Sequence, residues 1–148
     1  MNASKVIHLT SAHPRNDIRI FIKMCSSLAE YGHDVSLIVA DGLCDEVINA
    51  VSIFDVGNKG RGRLSRMTKT VSCVFKKAKD LDADLYHLHD PELIPIGIKL
   101  KKLGKVVIFD AHEDFPKQIL GKLYLNKPIR FVLSKILSLF FNLFLIIY

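Results

Sequence analysis

Two short stretches of this 148-residue chain concentrate side chains able to move protons, hold anions or ligate metal: His-Leu-His-Asp-Pro-Glu at 87–92 and Phe-Asp-Ala-His-Glu-Asp at 109–114. In each, His and acidic groups follow an apolar run that reads as a buried strand and stand where that strand gives way to a loop. Open α/β sheets bind ligands at the carboxyl ends of their strands, so these polar groups occupy the place where a site belongs. His87 and His89 are two apart in a strand and share a face. With Asp90, His112, Glu113 and Asp114 they offer imidazole and carboxylate, the ligand types of zinc. A third ligand of defined spacing is missing, however, and His87 reads more readily as a core histidine with one backbone hydrogen bond. No metal is therefore expected.

His89 and Asp90 are expected at the mouth of the site, followed by Pro91 in the first turn of a helix and Glu92 near the positive end of its dipole. Asp90 would serve equally as an N-cap. His112, Glu113 and Asp114 exceed what capping requires, which makes His112 the leading functional residue. Arg15 and Arg19 flank the helix start after the first strand, where backbone N–H groups already favour an anion such as phosphate. That loop lacks a Gly-x-Gly-x-x-Gly run, which disfavours direct dinucleotide binding. Lys59, Arg61, Arg63 and Arg66 lie in a glycine-rich stretch that reads as a solvated loop, with contact to an anionic acceptor or membrane as the alternative.

The elements that must position these groups follow from periodicity. Lys5–Leu9 is a short apolar strand, and Ile18, Phe21, Ile22, Cys25, Leu28 and Ala29 recur at helical spacing, with Asp17 or Asn16 as N-cap and Gly32 as the stop. Strands are predicted at 34–40, 51–56, 84–88 and 105–110, and helices at 65–80 and 92–103. Apolar strands alternating with helices predict an α/β, Rossmann-like parallel sheet with helices on both faces. Right-handed crossovers then make the first, fourth and fifth of these strands neighbours.

With 49% hydrophobic residues the chain buries a real core, and its net charge of +6 (21 Lys and Arg against 15 Asp and Glu) favours acidic partners. Zinc-finger spacing, RNA-binding aromatic runs and basic heptads are absent, so nucleic acid is not expected. Three cysteines without ligand-like spacing and a start without an apolar leader point to the cytoplasm. Composition shifts after Pro128, so 1–128 is expected as the domain and 129–148 as an apolar C-terminal helix. That helix would be buried by a further domain, lie on a membrane surface, or span it.

The succession His-Pro-Arg-Asn-Asp-Ile-Arg-Ile-Phe-Ile-Lys at 13–23, Leu-Ala-Glu-Tyr-Gly-His-Asp-Val at 28–35, Asp-Leu-Tyr-His-Leu-His-Asp-Pro-Glu-Leu at 84–93 and Ile-Phe-Asp-Ala-His-Glu-Asp-Phe-Pro at 108–116 resembles the amino-terminal half of bacterial family 4 glycosyltransferases, over residues 4–130. The resemblance implies the N-terminal half of a GT-B fold and retaining transfer from a nucleotide-sugar donor, itself a substrate, with no metal or other cofactor. It implies a glycan or lipid-linked acceptor and a place in the cytoplasm or on the inner face of the cell membrane. His112 would be the catalytic cleft histidine. Arg15 and Arg19 would lie toward the acceptor, with His89, Asp90, Glu92, Glu113 and Asp114 as further substrate-binding residues. Such enzymes run to over twice this length, and their donor-gripping second domain is not among these residues. The expectation is thus a fragment or one half of a split enzyme that needs a donor-binding partner chain. Two alternatives are a non-catalytic acceptor-binding or membrane-recruiting subunit and a metal-dependent hydrolase built on His87, His89 and His112.

Overall fold

The structure is a computed structural model and describes residues 3–57, 66–110, 126, 128, 129, 131, 132, 134–136 and 138. The chain forms two compact units, Met1–Asp110 and Ala111–Tyr148. The first is a six-stranded sheet with β1 at Lys5–Leu9, β2 at Asp34–Val39, β3 at Glu46–Ile48, β4 at Val51–Asp55, β5 at Leu85–Leu88 and β6 at Val106–Phe109. Its order is β3-β4-β2-β1-β5-β6, and every pairing is parallel except β3 with β4. The three strands expected side by side, β1, β5 and β6, are consecutive neighbours.

Helices cover both faces. A π-helical run, Ile18–Cys25, continues into α1, Ser26–Glu30, and it starts where expected: Asp17 Oδ1 accepts from the backbone N–H groups of Arg19 and Ile20, each at 2.9 Å. Gly32, at φ 89°, turns the chain back toward β2 in the left-handed region that suits glycine. Ile20, Phe21 and Cys25 pack on Val35, Leu37, Val39 and Ile53. On the opposite face lie α2, Val71–Leu81, and α3, Ile94–Lys102, the latter entered through a 3₁₀ turn at Pro91–Leu93. Val74, Ala78, Leu93, Ile96 and Leu100 there bury Ile7, Leu9, Tyr86 and Leu88. Burial from both sides explains the near-continuous apolar runs of the central strands β1 and β2.

The edge strand β3 is an addition to the expected pattern. It pairs antiparallel with β4 through Asn49 and Ala50, both at positive φ (51° and 59°). A two-residue turn of this kind favours Asn-Gly, and alanine in the second place removes the usual hairpin signal. In the second unit, the described residues among 128–138 are helical, and Ile129, Phe131, Val132 and Ile136 are exposed. Among the described residues, no helix is long and apolar enough to cross a membrane. Residues 139–148 of the expected apolar helix, and Lys59, Arg61 and Arg63 of the basic loop, lie outside the described residues.

Candidate functional site

Three groups of polar side chains stand at or near the carboxyl ends of the parallel strands. The first is organised by Asp90, one residue beyond the 89–9 backbone bond that closes the β1–β5 ladder. Its Oδ2 accepts from Thr10 Oγ1 and the Ser11 backbone N–H, both at 2.7 Å, and from the Ala12 N–H at 3.2 Å. Its Oδ1 lies 3.4 Å from His13 Nε2, while His13 Nδ1 is 3.3 Å from Asp17 Oδ2. Ser11 Oγ donates to Glu92 Oε1 at 3.1 Å. Asp90 sits at the N-cap position of the 3₁₀ turn, yet its side chain makes no cap hydrogen bond. It cross-links the loop after β1 instead, through charge-assisted bonds that are roughly twice as strong as neutral ones.

The second group separates the two arginines. Arg15 is buried, with Nε and Nη2 clamped bidentately on Asp41 at 2.8 and 2.6 Å, Nη1 on Glu46 and Nη2 also on the Cys44 carbonyl at 3.0 Å. These partners raise the Arg15 pKa, and Arg15 in turn holds the Asp41 carboxyl below its ordinary range. A substrate phosphate at Arg15 would have to displace them. Arg19, in the first turn of the π-helical run, reaches across to Asp110 Oδ2 at the end of β6. Only Arg19 therefore joins the β5–β6 end of the sheet.

The third group is a histidine cluster. His8 of β1 is in register with His87 of β5, so His8, His87 and His89 project from the same sheet face. Register with Leu37 identifies it as the face that the π-helical run covers. The rings of His8 and His89 are nearly parallel, with centroids 5.2 Å apart, and that of His87 lies 4.9 and 4.4 Å from them. His8 Nδ1 and His89 Nε2 are hydrogen-bonded at 2.9 Å. Asp110 Oδ2 is 3.5 Å from His89 Nδ1, near enough to attract it but outside hydrogen-bond geometry. His8 Nε2 and His89 Nδ1 are thus buried without a hydrogen bond. Burial, with His87 close by, pushes the His8 pKa down to about 3, and the same causes push that of His89 to about 2. His87 is lowered too, chiefly by burial. Burial thus disfavours the protonated form of all three rings.

No protein-family model, curated protein or solved structure matches this chain. Its site rests on geometry alone. Asp90 and Glu92 meet the loop after β1, and Arg19 meets Asp110. His89 is not at the mouth: it is 1% exposed, because its backbone N–H continues the ladder to the Leu9 carbonyl and its ring turns in beside His8. Of the pair expected on one face, His87 is the more open. His112, Glu113 and Asp114 lie outside the described residues. Sequence reasoning passed over His8, Thr10 and Ser11, and gave Asp110, within the second stretch, no role of its own. His8 had a legible signal, a polar residue centred in the apolar run Lys-Val-Ile-His-Leu.

Proposed function

We propose that this chain is the acceptor-side domain of a retaining glycosyltransferase, acting with a donor-binding domain on a nucleotide sugar and a glycan or lipid-linked acceptor at the cytoplasmic face of a membrane. The observation that carries this reading is the gathering of Asp90, Glu92, His13, Arg19 and Asp110 at the carboxyl ends of β1, β5 and β6. Ligands of open parallel sheets bind at that edge. The motif resemblance supports the same reading, and it makes His112, two residues past Asp110, the group nearest the reacting centre.

Sugar transfer of this kind needs an acceptor hydroxyl held in line with the anomeric carbon and stabilisation of the departing diphosphate. A loop after β1 tied down by Asp90 supplies a fixed wall, and Arg19 would offer positive charge to a ligand anion that displaces its Asp110 partner. The alternative of a metal-dependent hydrolase is less favoured, since His89, one of the three histidines it would use, is buried.

The test supplies a nucleotide-sugar-binding domain, fused or in trans, and follows transfer from a panel of nucleotide sugars to lipid-linked acceptors. Transfer is expected only with both parts present, and His112→Ala should lower turnover by roughly a hundredfold or more while the fold is kept. Turnover unaffected by His112→Ala, or no transfer with any donor and acceptor, would sink this proposal.

A further inference from the structure

Three imidazoles converging on one sheet face are an expensive way to fill a core. Two of their nitrogens are buried without a hydrogen bond, which forfeits their hydration with nothing in return. A hydrogen-bonded His8–His89 pair does not need His87 beside it. We propose that His8, His87 and His89 form a binding site for a zinc-like divalent ion, with Asp110 as the carboxylate that orients His89.

One ligand nitrogen from each ring lies within 4.8 Å of the other two. Zinc bonds of about 2.0–2.1 Å in a tetrahedral site set nitrogens roughly 3.4 Å apart, so ring rotations of modest size close the cluster. His8 Nδ1 and His89 Nε2, at 2.9 Å, already share one point. The attraction of Asp110 for His89 Nδ1 favours the tautomer protonated there and leaves the Nε2 lone pair facing His8 Nδ1, whose proton would move to the unbonded His8 Nε2 as the ion enters. This is the carboxylate–histidine–metal arrangement of protein zinc sites. Burial favours the neutral form of the rings, the one that ligates, and imidazole with carboxylate suits zinc better than magnesium or calcium. His87, partly exposed, provides the way in. The ion would tie β1 to β5, and the site would share Asp110 with the groups assigned to sugar transfer.

The experiment titrates the full chain with zinc alone in competition with a chelator, and with cobalt(II) as a spectroscopic substitute. Expected are one ion per chain, a Kd near or below about 1 μM, and the strong visible absorption of four-coordinate cobalt. His8→Asn and His89→Gln should each weaken binding at least 100-fold, and Asp110→Asn by roughly 10–100-fold. Should these variants fail to fold, histidine-ring nitrogen NMR of the unaltered protein decides. Zinc-dependent shifts of His8, His87 and His89 support the site. Shifts confined to His13 and His33, or rings unchanged at saturating zinc, overturn it and leave a neutral pair solvated by water.

Discussion

At the scale of single residues, the polar groups at the sheet's carboxyl edge differ in what they do for the fold. Asp90 takes the Thr10 hydroxyl and two backbone N–H groups on one oxygen. Asp90→Ala should therefore cost about 2–4 kcal/mol, visible as a lower urea midpoint, because it strands buried donors. An unchanged midpoint would mean that the carboxylate serves ligand binding alone. The histidines carry a pH signature. With chelator present, His8 and His89 accept protons in the unfolded chain near 6.5 but in the folded protein only near 3 and 2. Below pH 6.5 the unfolded state binds more protons, so stability falls as pH falls, by up to about 2.7 kcal/mol per unit for the two rings, until the folded values are reached. Asp110, Arg19, His13 and His87 face these rings and modulate the slope. Urea unfolding at pH 7 and 5.5 checks this; equal stability at the two would show that the rings are not buried neutral.

At the scale of elements, the helix after β1 is the part most dependent on a single cap. Asp17 receives two backbone N–H groups, which lowers its pKa against the opposing effect of burial, and no acidic residue follows in the first turn. Asp17→Ala should lower stability by about 1 kcal/mol, measured by thermal or urea unfolding, and loosen the segment carrying Arg19. At the other face, Tyr86 fixes how α2 returns to β5: its hydroxyl accepts from the Ala83 N–H at 2.8 Å and donates to the Ala78 carbonyl at 3.0 Å. Tyr86→Phe leaves both buried partners unmet and should cost about 1–3 kcal/mol in the same assay. Loss of much less would mean that water replaces the hydroxyl.

At the scale of the whole molecule, the apolar surface of the second unit decides behaviour in solution. Ile129, Phe131, Val132 and Ile136 are all exposed along one short helical stretch. Such a patch seeks a partner surface or lipid. The full chain should accordingly sediment with vesicles or self-associate, and a version ending at Asn126 should stay in the supernatant at the same concentration. Identical partition of the two would show that the apolar residues are satisfied within the chain.

Periodicity and local chemistry were enough to read the parallel α/β order, the Asp17 cap and the Gly32 stop, because each depends on residues a few positions apart, and the handedness of crossovers then placed β1, β5 and β6 side by side. The hairpin of β3 escaped because Asn49-Ala50 adopts a turn that its composition does not announce. What only tertiary structure decided lies between distant segments. His8 meets His89 across 81 positions and Asp90 meets Thr10 across 80, while Arg15 is consumed by Asp41 and Arg19 by Asp110. Strand register sets which of these side chains share a face and a depth, and register is a property of the assembled sheet rather than of any one strand.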